Sequence, residues 1–131
     1  MMMEMKGRQI EEGQIARYAD MFAAIATKAR LRIMRLLLSA HPRGMIVGDI
    51  QAELGIPSST LSHHLEKLRS KGLVKVRRQG PFLWHTADTE ALQEILTFLY
   101  AECCTRNKAV KPESIMQDAS QYPNKEQVPW A

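Results

Sequence analysis

The 131-residue sequence has few aromatic side chains, only two cysteines and no long apolar stretch. Aromatic residues make up 6% of the chain and methionine supplies eight residues, a composition that favours helices over an all-β core. No uncharged apolar run approaches the roughly 18 residues of a membrane-spanning helix, and no basic segment followed by an apolar run opens the chain. We therefore expect a cytoplasmic protein with no membrane partner.

The two cysteines, Cys103 and Cys104, are adjacent in the sequence. A bond between neighbouring residues closes no useful loop and strains the link, so this pair does not form a disulfide framework. In a reducing cytoplasm both thiols remain available for chemistry.

Positive charge is concentrated in one part of the chain. The whole chain has a net charge of +4, yet residues 58–80 alone contain six basic side chains and one acidic side chain, Glu66. Residues 81–104 contain four acidic side chains and no Lys or Arg. A basic block of this kind suits a nucleic-acid partner, although charge alone is also compatible with a solvated helix face.

Apolar residues recur with helical spacing in five segments. This periodicity predicts helices over residues 9–27, 28–38, 49–54, 58–71 and 88–105. In the second helix, the residues expected to face inward are Leu31, Met34, Leu37 and Leu38, and those expected to face outward are Arg30, Arg32 and Arg35. We expect Ser58 and Asp88 to act as N-caps of the last two helices.

A change of period indicates strands. Alternating residues predict strands over 73–78 and 82–85, joined through Gln79-Gly80-Pro81 as a hairpin, and residues 45–47 add a short strand. A short helix, a glycine-containing turn, a longer polar-faced helix and a basic hairpin, in this order, are typical of a winged helix-turn-helix. The predicted fold is therefore mainly α with a β-hairpin wing.

The fourth predicted helix and the hairpin supply the candidate DNA-binding residues. The helix offers small polar and basic side chains away from its leucine stripe, and the hairpin brings further cations to phosphates or the minor groove. The candidates are Ser58, Ser59, Thr60, Ser62, His63 and Lys67 on the helix, and Arg77, Arg78 and Gln79 in the hairpin. We expect His64, which borders the leucine stripe, to fix helix packing and not to bind a metal.

Three stretches of the sequence resemble one known family, the ArsR/SmtB-type repressors. They are ATKARLRIMRLL at residues 26–37, VGDIQAELG at 47–55 and STLSHHLEKLRSKGLV at 59–74. The resemblance spans about residues 14–105 and implies a homodimeric winged-helix transcriptional repressor that binds operator DNA. It also implies that the first and last helices form the dimer interface, and that a metal or metalloid effector releases the protein from DNA.

The resulting organisation has three parts. Residues 1–8 are expected to be flexible, and residues 9–106 form the DNA-binding and dimerisation domain. Residues 107–131 form a polar tail with several prolines, which we expect to be disordered.

Two ligand sites of the family are missing from this sequence. In the family that this sequence resembles, the best-known arsenic and cadmium sensors carry two cysteines at the start of the helix-turn-helix. This chain has Ile46 and Gly48 at those positions. The zinc sensors carry Asp and His ligands on the last helix, where Asp88 is followed by no histidine. A subset of arsenic repressors has a vicinal cysteine pair where this chain has Cys103 and Cys104, usually with a further cysteine that this chain lacks.

The cysteine pair is the candidate metal site. Soft thiolates select thiophilic ions such as trivalent arsenic and antimony. Inorganic arsenite normally takes three sulfurs, whereas a methylated or aryl arsenical needs only two because carbon already occupies its third position. We expect a repressor that leaves its operator when arsenite, methylarsenite or antimonite binds Cys103 and Cys104, with no obligatory cofactor.

Other interpretations of the cysteines are open. Cys103 continues the apolar stripe of the last predicted helix, so it also fits simple packing in a dimer interface. The same fold can act as a thiol-redox repressor or as an effector-independent one. A small thiol enzyme would need an activated thiolate at a helix N-terminus or beside a base, whereas these thiols end a helix. We therefore expect no enzyme activity.

Overall fold

The computed structural model describes residues 2–107, with side chains described from residue 11. In chain order the elements are α1 (Met2–Ile25), α2 (Lys28–Ser39), β1 (Met45–Ile46), α3 (Val47–Leu54), α4 (Ser58–Ser70), β2 (Val74–Gln79), β3 (Phe82–Ala87) and α5 (Thr89–Tyr100). The strands form one antiparallel sheet in the order β1-β3-β2. The predicted fold, mainly helical with a hairpin wing, is confirmed.

The chain divides into two compact units, residues 1–93 and residues 94–131, and the division falls within α5. The first unit contains α1 to α4 and the sheet. The second unit is described as far as residue 107 and contains the remainder of α5 and the turns that follow it. The predicted tail over 107–131 lies almost entirely outside the described residues. No helix in the described part of the chain is long and apolar enough to cross a lipid bilayer.

The first helix extends further toward the N-terminus than the periodicity predicts. α1 begins at Met2 and includes the segment expected to be flexible. Residues 2–6 consist of methionine, glutamate and lysine, which are strong helix formers without an apolar period. At its other end α1 stops at Ile25, because Thr27 is the N-cap of α2 and its hydroxyl accepts a hydrogen bond from the Arg30 backbone N–H at 3.2 Å.

The buried face of α2 differs from the predicted one. Arg30 is only 8% exposed and Leu31 is 51% exposed, so the predicted orientations of both residues are wrong. Arg30 shares its face with Ile33, Met34 and Leu37, which are all buried. These four positions follow the i, i+3, i+4, i+7 spacing of one helix face. Because Arg30 is charged, the sequence pattern favoured the neighbouring set of positions that includes Leu31 as the buried face.

The two predicted helix caps have opposite outcomes. Helix α4 begins at Ser58, but its N-cap residue is Pro57 and no side chain caps it, so the prediction for Ser58 is wrong. The Pro57 carbonyl already accepts the first helical hydrogen bond, from Leu61 at 2.8 Å, which places Ser58 inside the first turn. The prediction for Asp88 is confirmed, since its Oδ1 accepts a hydrogen bond from the backbone N–H of Ala91 at 3.0 Å.

A close backbone approach fixes the position of β1 and therefore of α3, which follows it directly. Gly44 has a φ of +84°, and a Cβ at this position would lie 2.3 Å from the His85 carbonyl oxygen on β3. No side chain fits that space, and glycine adopts this φ without strain. The next residue, Met45, pairs with His85 across the sheet.

The last helix is shorter than predicted. α5 ends at Tyr100, and not near residue 105, so Cys103 and Cys104 follow the helix and do not continue its apolar stripe. The chain turns here through Cys104, which has a φ of +63°, and the Cys103 backbone N–H bonds to the Tyr100 carbonyl at 2.8 Å. No glycine or proline marks this helix end in the sequence, and the apolar periodicity therefore predicted an end near residue 105.

Candidate nucleic-acid interface

Helices α3 and α4 form a helix-turn-helix around Gly55. This glycine has a φ of +66° and its N–H bonds to the Gln51 carbonyl at 2.8 Å, which closes α3 with a left-handed residue. Ile50 on α3 and Leu61 on α4 are fully buried, so both helices are anchored in the core of the first unit. The turn therefore holds α4 at a fixed position relative to α3.

Helix α4 has one buried and one exposed face. Leu61, Leu65 and Leu68 are 0–3% exposed and follow helical spacing. All six candidate DNA-binding residues on this helix are exposed, namely Ser58, Ser59, Thr60, Ser62, His63 and Lys67. Their hydroxyls, imidazole and ammonium are thus free to meet base edges and phosphates, as the prediction requires. Contact of these residues with DNA stays a prediction.

The three candidates in the wing are also exposed, but they do not share one face of the hairpin. Residues paired across antiparallel strands lie on the same side of the sheet, and successive residues alternate. Arg78 pairs with Leu83, whereas Arg77 pairs with Trp84 and Gln79 lies on the same side as Arg77. Arg78 therefore lies on one face of the wing, and Arg77 lies on the other.

A groove of about 350 Å³ separates α4 from the hairpin. Its lining consists of Val47, Ser62, Leu65, Glu66, Arg69, Val76, Leu83 and His85. Since Leu83 lines this groove, Arg78 lies on the face of the hairpin that is turned toward α4. The helix and the wing consequently form the two sides of one concave surface.

Half of the cations in the basic block form ion pairs with neighbouring carboxylates. Arg69 pairs with Glu66 at 2.6 Å, Lys71 with Asp20 at 3.8 Å and Lys75 with Asp88 at 3.7 Å. Within the described residues, the other three cations of the block, Lys67, Arg77 and Arg78, form no ion pair. These three are the cations that the sequence predicts to contact phosphates. The structure thus separates them from the cations that serve internal contacts.

One further cation near the wing was missed by the sequence reasoning. The guanidinium of exposed Arg43 lies 5.0 Å from the centre of the Trp84 ring, within the range of a cation–π contact. Trp84 pairs with Arg77 across the sheet, so Arg43 and Arg77 lie on the same outer face of the wing. The loop HPRG between α2 and β1 gave no sequence signal for this position.

His64 is tied to a buried arginine, as expected for a packing residue. Arg30 Nη1 lies 3.3 Å from His64 Nδ1, and Arg30 Nε also donates to the Ala24 carbonyl at the end of α1. Burial lowers the pKa of His64, and the nearby charges of Arg30, His63 and Lys67 lower it further. His64 is therefore neutral at pH 7 and suited to accepting the hydrogen bond from Arg30.

His85 is a second histidine with a lowered pKa. It is 7% exposed, and its Nδ1 has no hydrogen-bond partner in the described structure. Burial lowers the pKa of His85, and an interaction with the backbone of Leu83 raises it by a smaller amount. The ring lies on the central strand β3 beneath the groove, where it is a structural group of the core and not a surface ligand.

The two thiols lie close together in the turns after α5. Cys103 Sγ and Cys104 Sγ are 3.2 Å apart, and both residues are partly buried. The hydrogen bond to Cys104 raises the pKa of the Cys103 thiol, with burial and the neighbouring sulfur acting in the same direction. An ideal helix would direct adjacent side chains about 100° apart, so the end of α5 at Tyr100 allows the sulfurs to converge. Among the described residues, no cluster of three or more His, Cys, Asp or Glu side chains is arranged to hold a metal ion.

Comparisons with known proteins agree with this geometry. The helix-turn-helix domain family matches residues 25–77. An uncharacterized HTH-type transcriptional regulator of Methanocaldococcus jannaschii is 36% identical over 78 residues, which cover 60% of this chain and 85% of the relative. A transcriptional repressor SmtB homolog of Synechocystis is 36% identical over 73 residues, or 56% of this chain and 53% of that relative.

Solved structures show the same fold. A crystal structure of a possible transcriptional regulator for arsenical resistance is 27% identical, covers 63% of this chain and 82% of its own, and has a TM-score of 0.55. Reduced HlyU from Vibrio cholerae is 30% identical, covers 72% of this chain and 98% of its own, and has a TM-score of 0.56. From its helix-turn-helix, its wing and these relatives, this chain belongs to the ArsR/SmtB family of DNA-binding winged helix-turn-helix transcriptional regulators.

Proposed function

We propose that this protein is a homodimeric repressor that leaves its operator when a trivalent arsenical binds Cys103 and Cys104. The observation that carries the proposal is the 3.2 Å separation of the two sulfurs just beyond the last helix. Two sulfurs this close can bind one arsenic atom as a chelate. The relative described as a possible regulator for arsenical resistance supports the same ligand class.

The chemistry favours an arsenical that needs two sulfurs. A mono-organo arsenical with two hydroxyl groups exchanges both As–O bonds for As–S bonds, and the two thiol protons leave with the hydroxyls as two water molecules. Arsenic stays trivalent, so no oxidant or reductant is needed. Methylarsenite and phenylarsenous acid fit this stoichiometry with Cys103 and Cys104 alone, whereas inorganic arsenite keeps one hydroxyl or takes a third donor.

The DNA-facing part of the proposal rests on charge and exposure. Lys67 on α4 and Arg77 and Arg78 on the wing are exposed cations without a carboxylate partner in the described structure. They supply salt-dependent affinity for phosphates, while the hydroxyls and His63 on α4 bias the choice of sequence. In a two-fold dimer, two such helices enter successive major grooves about one helical turn apart.

Dimerisation is inferred from apolar surface and from the family. α1 exposes Ile15 at 43%. In the second unit, α5 exposes Leu96 at 41%, Leu99 at 60% and Tyr100 at 37%. Large apolar side chains on one face of a helix are typical of surfaces covered by a partner, and α1 and α5 are the helices that the family uses for this purpose. A second copy of the chain is therefore the proposed partner.

Release follows if the arsenical binds one dimer geometry better than the other. A ligand shifts such an equilibrium only by the ratio of its affinities for the two states, and a shift from mostly bound to mostly released needs about 5 kcal/mol. Covalent As–S bonds are strong enough to provide this difference. Cys103 and Cys104 lie three and four residues after the last residue of the proposed interface helix, so we expect ligation in both subunits to act on the turn at the end of that helix.

The test is a release titration. Duplexes selected from a random library by the wild-type protein are bound, and release is followed by fluorescence anisotropy on addition of phenylarsine oxide, methylarsenite, arsenite, antimonite, zinc or cadmium. Cys103→Ser/Cys104→Ser should bind the same duplexes and resist release, and Thr105→Ala serves as the matched control that releases like wild type. Release of the double mutant by arsenicals would exclude the cysteine pair as the sensor.

A thiol-redox repressor is the second candidate. A structure of the relative HlyU is described as the reduced form, so redox states are distinguished in that protein. In this chain, oxidation by a peroxide would join Cys103 and Cys104, with the two thiol hydrogens and the peroxide forming two waters. The raised pKa of Cys103 opposes this reaction because the thiolate is the nucleophile, and a bond between neighbours is strained. Release by peroxide without arsenic would favour this candidate.

An enzymatic role for the thiols has less support. Cys103 and Cys104 follow the C-terminal end of a helix, where the helix dipole disfavours a thiolate, and the pKa of Cys103 is raised and not lowered. A nucleophilic cysteine requires the opposite conditions. The same free thiols fit a reducing cytoplasm, which is the location that we propose.

A further inference from the structure

Arg30 joins three helices within the first unit. Its side chain is 8% exposed and starts on α2. Its Nε donates to the carbonyl of Ala24 in the last turn of α1, and its Nη1 lies 3.3 Å from Nδ1 of His64 on α4. The DNA-binding candidate His63 immediately precedes His64 on that helix, and the ring centres of the two residues are 6.1 Å apart.

A buried guanidinium costs free energy unless its donors are satisfied. The Ala24 carbonyl belongs to the last turn of α1, where carbonyls lack helical partners and the helix dipole is negative, so it stabilises the charge of Arg30. No carboxylate pairs with Arg30 in the described structure. The arginine therefore depends on the end of α1 and on His64 for its position.

The bond to His64 requires a neutral imidazole. An arginine can only donate, so His64 Nδ1 must be the acceptor and the ring proton resides on Nε2. The charged groups that act on His64 are Arg30 from α2 and His63 and Lys67 from its own helix, and all of them disfavour an imidazolium. Asp20 of α1 forms an ion pair with Lys71, the residue that follows α4, so the Asp20 carboxylate is already paired with a cation.

We propose that Arg30 is a positioning residue for α4, which holds the DNA-reading helix to the end of α1 through neutral His64, and that protonation of His64 releases this link. The inference rests on the DNA-binding part of the proposed function and not on the arsenical. Because α1 is also a proposed dimer helix, the link gives α4 a direct connection to the helix that meets the second subunit. Acidification then lowers sequence selectivity while leaving the phosphate contacts of the wing intact.

The experiment compares the affinity for a duplex selected by the wild-type protein with the affinity for a scrambled duplex, from pH 8 to pH 5.5. Arg30→Lys keeps the charge but lacks the planar fork that reaches both acceptors. His64→Asn keeps an uncharged acceptor at the position of Nδ1 and does not titrate. Arg32→Lys, at an exposed position of the same helix, is the matched control.

In the wild type and in Arg32→Lys, we expect the ratio of specific to non-specific affinity to fall progressively toward acid pH, by up to about tenfold once the charge-assisted hydrogen bond is fully lost. Arg30→Lys should show this low ratio already at pH 8, with non-specific affinity unchanged, and His64→Asn should keep a high ratio throughout. If Arg30→Lys does not fold, the contrast between the pH profiles of wild type and His64→Asn decides the question.

Two failures can be told apart. A wild-type protein that selects no duplex refutes DNA binding itself. A wild-type protein that selects a duplex, together with an Arg30→Lys ratio equal to wild type or a His64→Asn profile that still falls with pH, refutes only the role of Arg30 and His64.

Discussion

Arg69 donates two hydrogen bonds to the carboxylate of Glu66, one turn earlier on α4, with distances of 2.9 Å from Nε and 2.6 Å from Nη2. This bond from Arg69 lowers the pKa of Glu66, so the pair persists at neutral pH. Both residues line the groove between α4 and the wing. The net charge of the pair is zero. We therefore expect the salt-dependent affinity for DNA to come mainly from the cations without a carboxylate partner in the described structure, Lys67, Arg77 and Arg78.

Removal of a free wing cation should weaken all DNA binding. Arg78→Ala is expected to lower affinity for selected and scrambled duplexes alike by roughly tenfold, and to reduce the slope of log affinity against log salt by about 0.9. The reason is that Arg78 has no carboxylate partner in the described structure, so its loss removes one phosphate contact. Affinities measured at four salt concentrations give both quantities.

The matched control is Glu66→Gln/Arg69→Gln, which leaves the net charge unchanged. It should keep the wild-type salt slope. An unchanged slope in Arg78→Ala would show that the wing does not contact phosphate, and a reduced slope in the control would show that Arg69 leaves Glu66 when DNA binds.

Gly44→Ala should strongly destabilise the protein. A Cβ there would lie 2.3 Å from the backbone oxygen of His85 and 2.5 Å from Cγ2 of Thr86, and the φ of +84° is itself strained for alanine. We expect a loss of about 3 kcal/mol in the free energy of unfolding, measured by urea denaturation. Gly48→Ala is the control, since nothing lies within 4 Å of its added Cβ, and it should be neutral or stabilising by about 0.5 kcal/mol. Equal effects at both positions would contradict the close approach of β1 to β3.

The free energy of unfolding should decrease as pH falls below about 6.5, the ordinary pKa of histidine. Burial lowers the pKa of His85 in the folded chain, so the unfolded chain binds more protons between the two pKa values and stability rises with pH in that window. His85→Leu removes both the titration and an unpartnered buried nitrogen, and should lose less stability between pH 7.5 and pH 5.5 than wild type. Denaturation curves at the two pH values measure this, with exposed His41→Asn as the control that keeps the wild-type loss.

The association rate of an arsenical should depend on pH more strongly than its affinity does. The reacting form of Cys103 is the thiolate, and its raised pKa makes that form scarce at pH 7. Below that pKa the association rate of phenylarsine oxide should rise about tenfold per pH unit, since the thiolate fraction does. Because both thiol protons end up in the two water molecules, no proton is released overall, and the affinity should stay nearly constant with pH. Stopped-flow quenching and competition with a dithiol measure the two quantities, and a rate independent of pH between 6 and 8 would contradict attack by the thiolate.

Periodicity predicted the element types because their signals are local. The leucines at 61, 65 and 68 and the alternation in the hairpin each depend on residues close in sequence, and these elements lie where predicted. The buried side of α2 was not predictable in this way. Arg30 is inside only because Ala24 and His64 satisfy it, and those contacts come from other helices.

The candidate interface was predicted as a set of residues but not as an arrangement. Residue type selected nine DNA-binding candidates, and the structure shows all nine exposed. The sum of charges identified the basic block over residues 58–80. The register of β2 with β3 then placed Arg77 and Arg78 on opposite faces. Which cations are paired depends on Asp20 and Asp88, which lie outside the basic block and approach it only in the folded chain.

The end of α5 at Tyr100 separates the helix from the turn that carries the two cysteines. Within α5, Ile95 is fully buried, so substitutions at that position disturb its packing. The short turn that carries Cys103 and Cys104 lies after the helix has ended, so the number and spacing of thiols can change there without cost to the helix. The proposed inducer site can therefore change through substitutions in a few turn residues, while the helix that we propose to read DNA stays the same.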